Sequence, residues 1–331
     1  MAGMGEIAFI ADYLAPLATN PAALSLKDDA ALLTQLPPSG LVITSDALVA
    51  GSHFFEDDDP GDAAYKALAT NVSDLAAKAA KPLGYTLNLA LAEAPSPDWA
   101  ARFASGLSRA QERFGIALLG GDTVTARGAW WMSVTAFGEA PERGMVRRCG
   151  AKPGDWLYVS GTLGDSALGL ELRLGKGGFG AALSPQDREF LLQRYLYPEP
   201  RLALSGALAQ FASAAMDISD GLALDLIRLC RASNVTAEVA ASSVPLSEAA
   251  RAALEASPRS ISAILAGGDD YEILAAVAAE HAAPFEAAAS KSGVPVTRIG
   301  AIGAGMDAPI FLNADGTALN LETHGFEHFS P

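Results

Sequence analysis

Aspartates stand where apolar runs stop. Asp46 closes Leu41-Val42-Ile43-Thr44-Ser45, Asp122 follows Ile116 to Gly121, Asp217 closes Ala214-Ala215-Met216, and Asp269-Asp270 follow Leu265-Ala266-Gly267-Gly268. The first three runs read as buried strands, so Asp46, Asp122 and Asp217 are expected at strand ends, while Leu265 to Tyr271 reads as a further acidic turn running into a strand. The densest case is Asp217-Ile218-Ser219-Asp220-Gly221, after which Leu222, Leu226, Leu229 and Cys230 recur at helical spacing. That is strand, acidic turn, helix, with the helix starting near Asp220. One Ser or Asp suffices to cap a helix; Asp217 is a second carboxylate at the same corner. Grouped carboxylates raise one another's pKa unless cations neutralise them, and hard cations take oxygen ligands. The acids therefore suggest one shared rim that holds metal.

Other chemistries fit less well. Of the 4 histidines only His53 lies near a motif, which argues against zinc hydrolysis. No Ser-His-Asp order is present. Mg²⁺ combines a few carboxylates with substrate phosphates, and phosphoryl transfer needs mainly positioning and charge neutralisation. The residues alone point to a Mg²⁺-dependent enzyme of phosphate esters or nucleotides.

The elements that must place these acids alternate. A helical period runs through Ile7, Ile10, Ala11, Leu14 and Leu17 and stops near Asn20-Pro21. Strands are expected at Leu41 to Asp46, Leu87 to Leu91, Ile116 to Thr123 and Trp130 to Phe137, and helices at Pro60 to Ala80 and Trp99 to Phe114. Asp74, inside the first of these helices between Asn71 and Lys78, fits a solvated face. Gly144, Gly150, Pro153 and Gly154 gather with Arg143, Arg147 and Arg148 at a boundary, giving expected domains 1–146 and 147–331. Beyond it come a strand at Trp156 to Ser160, helices at Pro185 to Leu196 and Arg201 to Phe211, a strand at Val235 to Ala240, a helix at Ser247 to Glu255 and a strand at Glu272 to Val277. Strands and helices alternate in both halves, so the class is α/β or mixed α+β.

Composition narrows the partners. The 331 residues are half hydrophobic, enough for two cores, and the net charge of −15 disfavours nucleic acid. No apolar run approaches membrane-spanning length, the start lacks a basic-then-apolar signal, and two cysteines, Cys149 and Cys230, suit a reducing cytoplasm. Three apparent signatures fail. Gly175 to Gly180 fits G-x-G-x-x-G but follows a helix, not a strand. His324-Gly325-Phe326-Glu327-His328 fits the inverted zincin pattern but contains glycine three residues from the chain end. Gly169 to Lys176 has the wrong spacing for a Walker loop.

The remaining motifs together resemble the thiamine-monophosphate kinases, of the ATP-binding superfamily that includes aminoimidazole ribonucleotide synthetase and selenophosphate synthetase. The strings that carry the resemblance are Asp28-Asp29-Ala30, Ser45-Asp46-Ala47-Leu48-Val49-Ala50-Gly51-Ser52-His53-Phe54, Ala64-Tyr65-Lys66-Ala67-Leu68-Ala69 with Asn71-Val72-Ser73-Asp74-Leu75-Ala76-Ala77, Gly120-Gly121-Asp122-Thr123, Gly150-Ala151-Lys152-Pro153-Gly154-Asp155, Asp217 to Leu222, and Gly267-Gly268-Asp269-Asp270-Tyr271-Glu272. They run in family order over nearly the whole chain. The resemblance implies a two-domain aminoimidazole ribonucleotide synthetase-like fold and a homodimer pairing through its N-terminal sheets, with active sites between the two domains. It implies transfer from ATP to thiamine phosphate, giving thiamine diphosphate. By position, Asp29, Thr44, Ser45, Asp46, Asp74, Asp122, Asp217 and Asp220 would hold several Mg²⁺ ions. Gly121, Asp122, Arg148 and Ser219 would contact ATP; His53, Asp269 and Phe326 would contact thiamine phosphate. No side-chain base is implied, because the attacking group is already a phosphate oxygen; metals and Arg148 would carry the electrostatic work.

The chain departs from the family pattern in places. Ser25-Leu26-Lys27 stand where glycines usually precede the acidic pair, so the loop must avoid positive φ or accept strain. Lys27 also puts a cation beside a presumed metal site. Lys78-Ala79 replace Met-Gly, and Asp269 replaces Glu. Two other readings compete: a sibling synthetase of the superfamily with another substrate, and a non-catalytic acidic cation-binding module.

Overall fold

Capping and periodicity account for the best-defined elements of the computed structural model, which describes residues 4–28, 30–258, 260–321, 323, 325 and 326. Asp29, Glu322, His324, Glu327 and His328 lie outside the described residues. The chain forms two compact units, one of residues 1–75 and 80–144, the other of residues 76–79 and 145–331.

In the first unit, α1 (Glu6–Phe9) continues through a π turn and a 3₁₀ turn as far as Leu17. Then come β1 (Leu41–Val49), α2 (Pro60–Ala77), β2 (Lys81–Leu91), α3 (Pro97–Phe114), β3 (Leu118–Thr125) and β4 (Trp131–Glu139). Helix α3 shows its causes plainly. The Ser96 hydroxyl accepts the Trp99 N–H at 3.1 Å, Pro97 opens the first turn, and Gly115 at φ 64° ends it. Its Ala100, Phe103, Leu107, Ala110 and Phe114 form one buried stripe. Gly106 lets α3 reach α2: a Cβ there would lie 1.9 Å from the Gly61 carbonyl oxygen. Strand β4 alternates as a sheet should, with Met132, Val134 and Ala136 buried. The sheet order is β1-β4-β2-β3; β4 runs antiparallel to both neighbours, while β2 and β3 are parallel across α3.

The second unit contains β5 (Trp156–Ser160), α4 (Asp165–Arg173), α5 (Pro185–Leu196), α6 (Ser205–Phe211), β6 (Ala212–Asp217), α7 (Leu222–Ser233), β7 (Thr236–Ala240), α8 (Glu248–Ala256), α9 (Ser260–Ala266), β8 (Ile273–Val277), α10 (Ala282–Ser292), β9 (Val296–Gly303) and β10 (Ile310–Leu312). Its sheet, β10-β7-β9-β5-β8-β6, is antiparallel except for the β10–β7 pair. Alternation sorts its residues onto two faces. Leu157, Val159, Met216 and Leu274 enter one core with α4, α7, α8 and α9. Tyr158, Ala215, Ile273 and Ala275 enter another with α6, α10 and residues 76–79.

The mixed class expected from the alternation holds, with local corrections. Strand β1 runs three residues past Asp46, so that acid lies within a strand and not at its end. Helix α7 begins at Leu222, and β8 begins at Ile273. Helices α9 and α10 and strands β9 and β10 were not expected from the sequence. The loop before the acidic pair accepts strain: Leu24, Ser25 and Leu26 have φ of 50°, 56° and 52°. A left-handed conformation costs each such residue roughly 1 kcal/mol.

Buried charge is concentrated in the second unit. Glu272 is fully buried; its Oε2 accepts from Ser160 Oγ at 2.6 Å and Arg201 Nε at 2.7 Å, and its Oε1 from Arg194 Nη2 at 3.1 Å. Asp165 accepts from Thr162 and Ser247 hydroxyls, each at 2.5 Å. Asp270 Oδ2 accepts the Gly164 N–H at 2.8 Å, while its Oδ1 has no partner among the described residues. Burial holds the Asp270 carboxyl well above the ordinary carboxylate range; the Gly164 amide opposes this, and the charge of Asp165 adds to it.

Two outcomes follow from these contacts. Gly106→Ala should lower stability by about 2 kcal/mol or more, because a backbone carbonyl cannot yield to the added methyl; an unchanged melting temperature would show that the helices separate without cost. For Asp270 the folded-state pKa exceeds the unfolded one, so its contribution is full below about pH 4 and lost as pH rises through the raised value. The stability of the wild type relative to Asp270→Asn should therefore fall as pH rises above about 4 in urea titrations. A flat difference would mean that the native carboxyl titrates normally.

Candidate active site

The acidic turn after β6 is built by a residue outside it. Asp225, on the first turn of α7 and fully buried, accepts the N–H groups of both Ser219 and Asp220 on Oδ2, each at 3.0 Å. Its Oδ1 accepts from Arg228 Nη1 at 2.8 Å, and the same nitrogen donates to Asp220 Oδ2. One carboxylate thus satisfies two amides at the start of a helix, where orphan donors gather. Burial pushes Asp225 up to about 6, against the pull of the Asp220 amide and of Arg228. Sequence reading missed Asp225 and Arg228. The signal was an acid and a base at i, i+3 just after a turn already rich in acids.

The second acidic turn is zipped to the first. Asp269 N–H donates to Ser219 O at 2.8 Å, Tyr271 N–H to Ile218 O at 2.9 Å, and Ile218 N–H to Glu272 O at 2.8 Å. Glycine is needed on both sides: a Cβ on Gly268 would lie 2.4 Å from Ser219 O, and one on Gly221 2.6 Å from Ala266 O. The C-terminal segment joins here as well. Phe326 N–H donates to Asp220 O at 3.1 Å, and a Cβ on Gly325 would lie 2.5 Å from Leu224 Cβ. Asp217, Ser219, Asp220, Asp269 and Phe326 are therefore gathered in one place. Asp217 is buried, Asp220 and Asp269 are half-buried, and Phe326 is exposed.

Arg148 is not brought to that corner by its backbone. Its carbonyl accepts from Ser233 Oγ at 3.5 Å, at the far end of the 12-residue α7. At 1.5 Å per residue that is about 18 Å from the turn.

In the first unit, Thr44 Oγ1 donates to Asp74 Oδ2 on α2, so Asp74 bonds a strand hydroxyl rather than standing on a merely solvated face. Asn71, one turn earlier on α2, accepts the Asp46 N–H at 3.1 Å. Ser45 is on the opposite face of β1, where its hydroxyl bonds Val134 O at 3.2 Å and Thr135 Oγ1 at 2.9 Å. The strand alternation thus splits Ser45 from Thr44 and Asp46. His53 accepts the Val49 N–H on Nδ1 at 3.1 Å, which leaves its proton on Nε2. Asp122 is exposed, and its Oδ1 accepts the Thr123 N–H at 2.9 Å. Gly121 has a packing reason to be glycine, since a Cβ would lie 1.8 Å from Leu87 O.

Register relates the two ends of this sheet. Asp46 pairs with Val134, Val134 with Leu87, and Leu87 with Gly121. Asp46 and Gly121-Asp122 are level with each other but on opposite edges, about 14 Å apart at about 4.8 Å per strand. Among the described residues no three His, Cys, Asp or Glu side chains are gathered closely enough to hold a metal ion. Within the first unit, Asp46 and Asp122 thus stand on separate strands at the two edges of one sheet.

Comparison with known proteins places this geometry. Residues 27–140 match the N-terminal domain of the AIR synthase related proteins, and residues 152–310 match their C-terminal domain. The thiamine-monophosphate kinase of Caulobacter vibrioides is 44% identical over 89% of this chain and 83% of its own length. The crystal structure of the thiamine-monophosphate kinase from Stenotrophomonas maltophilia superposes with a TM-score of 0.78 at 40% identity, covering 89% of this chain and 91% of that one. AaThiL complexed with AMPPCP and TMP gives a TM-score of 0.76 at 33% identity, with 91% of each chain covered. With both domains matched in order and a relative 44% identical over 89% of the chain, the chain belongs to the thiamine-monophosphate kinases, a branch of the AIR synthase related family.

Proposed function

We propose that the protein transfers the γ-phosphoryl group of ATP to thiamine phosphate, giving ADP and thiamine diphosphate. The observation that carries this reading is the corner where Asp217, Ser219, Asp220, Asp269 and Phe326 meet, in a chain 33% identical to AaThiL, which is complexed with AMPPCP and TMP. An oxygen of the acceptor phosphate forms the new P–O bond. The bond from Pγ to the bridging oxygen breaks, and its electron pair leaves on ADP. The attacking oxygen is already anionic, so no side chain has to remove a proton.

The donor set fits Mg²⁺: Asp46, Asp74 and Asp122 with Thr44 and Ser45 in the first unit, and Asp217 and Asp220 in the second, offer only oxygen. Asp29 belongs to the same proposed set. Mg²⁺ commonly uses one or two carboxylates and completes its shell with water and phosphate, so a preformed trio of acids is not required. When bound, the ions would neutralise the phosphate charge. The protein's own part is positional. Asp225 and Arg228 fix the turn that carries Ser219, which we assign with Gly121, Asp122 and Arg148 to ATP. His53, whose Nδ1 accepts the Val49 N–H, suits a phosphate oxygen, and Asp269 suits the cationic thiamine ring.

We further propose functional halves of residues 1–146 and 147–331, a homodimer pairing through the N-terminal sheet, and action in the cytoplasm. No helix among the described residues is long and apolar enough to cross a membrane. Both cysteines are free, as a reducing compartment would keep them.

Purified enzyme should consume ATP with thiamine phosphate, not with thiamine, and should stop in EDTA. Equal turnover of thiamine, or activity surviving chelation, would falsify the reading. Asp217→Asn keeps the side chain's shape but removes its charge, so kcat should drop about a hundredfold or more while the melting temperature holds. If instead the variant unfolds early and keeps its kcat, Asp217 is a structural cap.

A further inference from the structure

Two bulky or polar residues of the second acidic turn stand in the left-handed region, Asp269 at φ 70° and Tyr271 at φ 51°. Neither is glycine, and for tyrosine this conformation is a real outlier. Such outliers persist only where the surroundings over-determine them, and they cluster where a side chain must be aimed. The surroundings here are explicit. Asp270, between the two, is buried and held by the Gly164 amide at 2.8 Å. Glu272, just after them, is held by Ser160, Arg194 and Arg201. The Asp269 and Tyr271 N–H groups are spent on Ser219 and Ile218 carbonyls, at 2.8 and 2.9 Å. With the backbone pinned at four successive residues, the two left-handed residues bring their side chains to the same side. The Tyr271 hydroxyl donates to Asp269 Oδ1 at 3.1 Å.

We propose that Tyr271 is a positioning residue for acceptor specificity: its hydroxyl fixes the Asp269 carboxylate in the orientation that meets the cationic thiamine ring. This rests on the reading of Asp269 as a substrate contact. An aspartate carboxylate is shorter by one methylene than a glutamate's and has less reach with which to find a ligand. Fixing its one side-chain orientation reduces the entropy lost on binding. The ring is remote from the transferring phosphoryl group, so the effect is the same in ground and transition states and belongs in KM. Tyr271 is itself buried against the protein, which makes it a support and not a second contact.

Steady-state kinetics on Tyr271→Phe, Asp269→Asn and the double variant test the proposal. Tyr271→Phe should raise KM for thiamine phosphate roughly three- to tenfold, the worth of one hydrogen bond, with kcat and KM for ATP within about twofold of wild type. In the Asp269→Asn background the same change should add less than about twofold, because the group being positioned is already lost. Full multiplicative effects, a change confined to ATP, or no effect of Tyr271→Phe while Asp269→Asn raises KM would each overturn the proposal. If Asp269→Asn leaves KM for thiamine phosphate unchanged, the reading of Asp269 as a substrate contact fails, and the proposal with it.

Discussion

A carboxylate buried without partners costs several kcal/mol, and removing one partner of a buried ionic pair is similarly expensive. The second unit is organised around meeting that demand. Asp225 is satisfied by two consecutive amides and one guanidinium, Glu272 by two arginines and a serine, and Asp165 by two hydroxyls. Each set of partners comes from a different part of the chain, so satisfying the acids fixes the loops. The acids fall into two populations. Those inside shape the backbone; Asp122 is exposed, and Asp220 and Asp269 are half-buried.

The same electrostatic logic is looser in the first unit. There Asp74 accepts from the Thr44 hydroxyl, and the Asp46 amide donates to the Asn71 side chain. The rigid part is the sheet and the glycine-mediated approach of α3 to α2 beneath it. Its polar residues are distributed along two edges, β1 and β3, and not collected at one point.

What could be read from the chain follows from the range of the forces involved. Helix α3 and strand β4 were legible because their causes are local: a Ser-Pro-Asp start, a stripe of apolar residues, a strict alternation. The strand–turn–helix at Asp217 was legible for the same reason. Helix α10 was not, because Ala282 to Ser292 is alanine-rich on every side and presents little contrast between faces. Strand order depends on pairing between distant segments, so the separation of Asp46 from Asp122 had no local sign. Asp225 was hidden because an acid in a helix's first turn is expected for the dipole alone. Glu272 was hidden by its place at the head of an apolar strand, and its partners, Arg201, Arg194 and Ser160, are 71, 78 and 112 residues away.

Asp225 recognises main-chain amides with one oxygen and the Arg228 side chain with the other. The Oδ2 contacts therefore ask only for N–H groups at positions 219 and 220, whereas the Arg228 contact also uses the Asp220 side chain. At Ser219 these contacts use the main chain alone; at Asp220 they use the main chain and the carboxylate. Replacing the side chain at position 219 leaves those amide contacts in place, so a lineage could vary the chemistry presented there without first losing its fold.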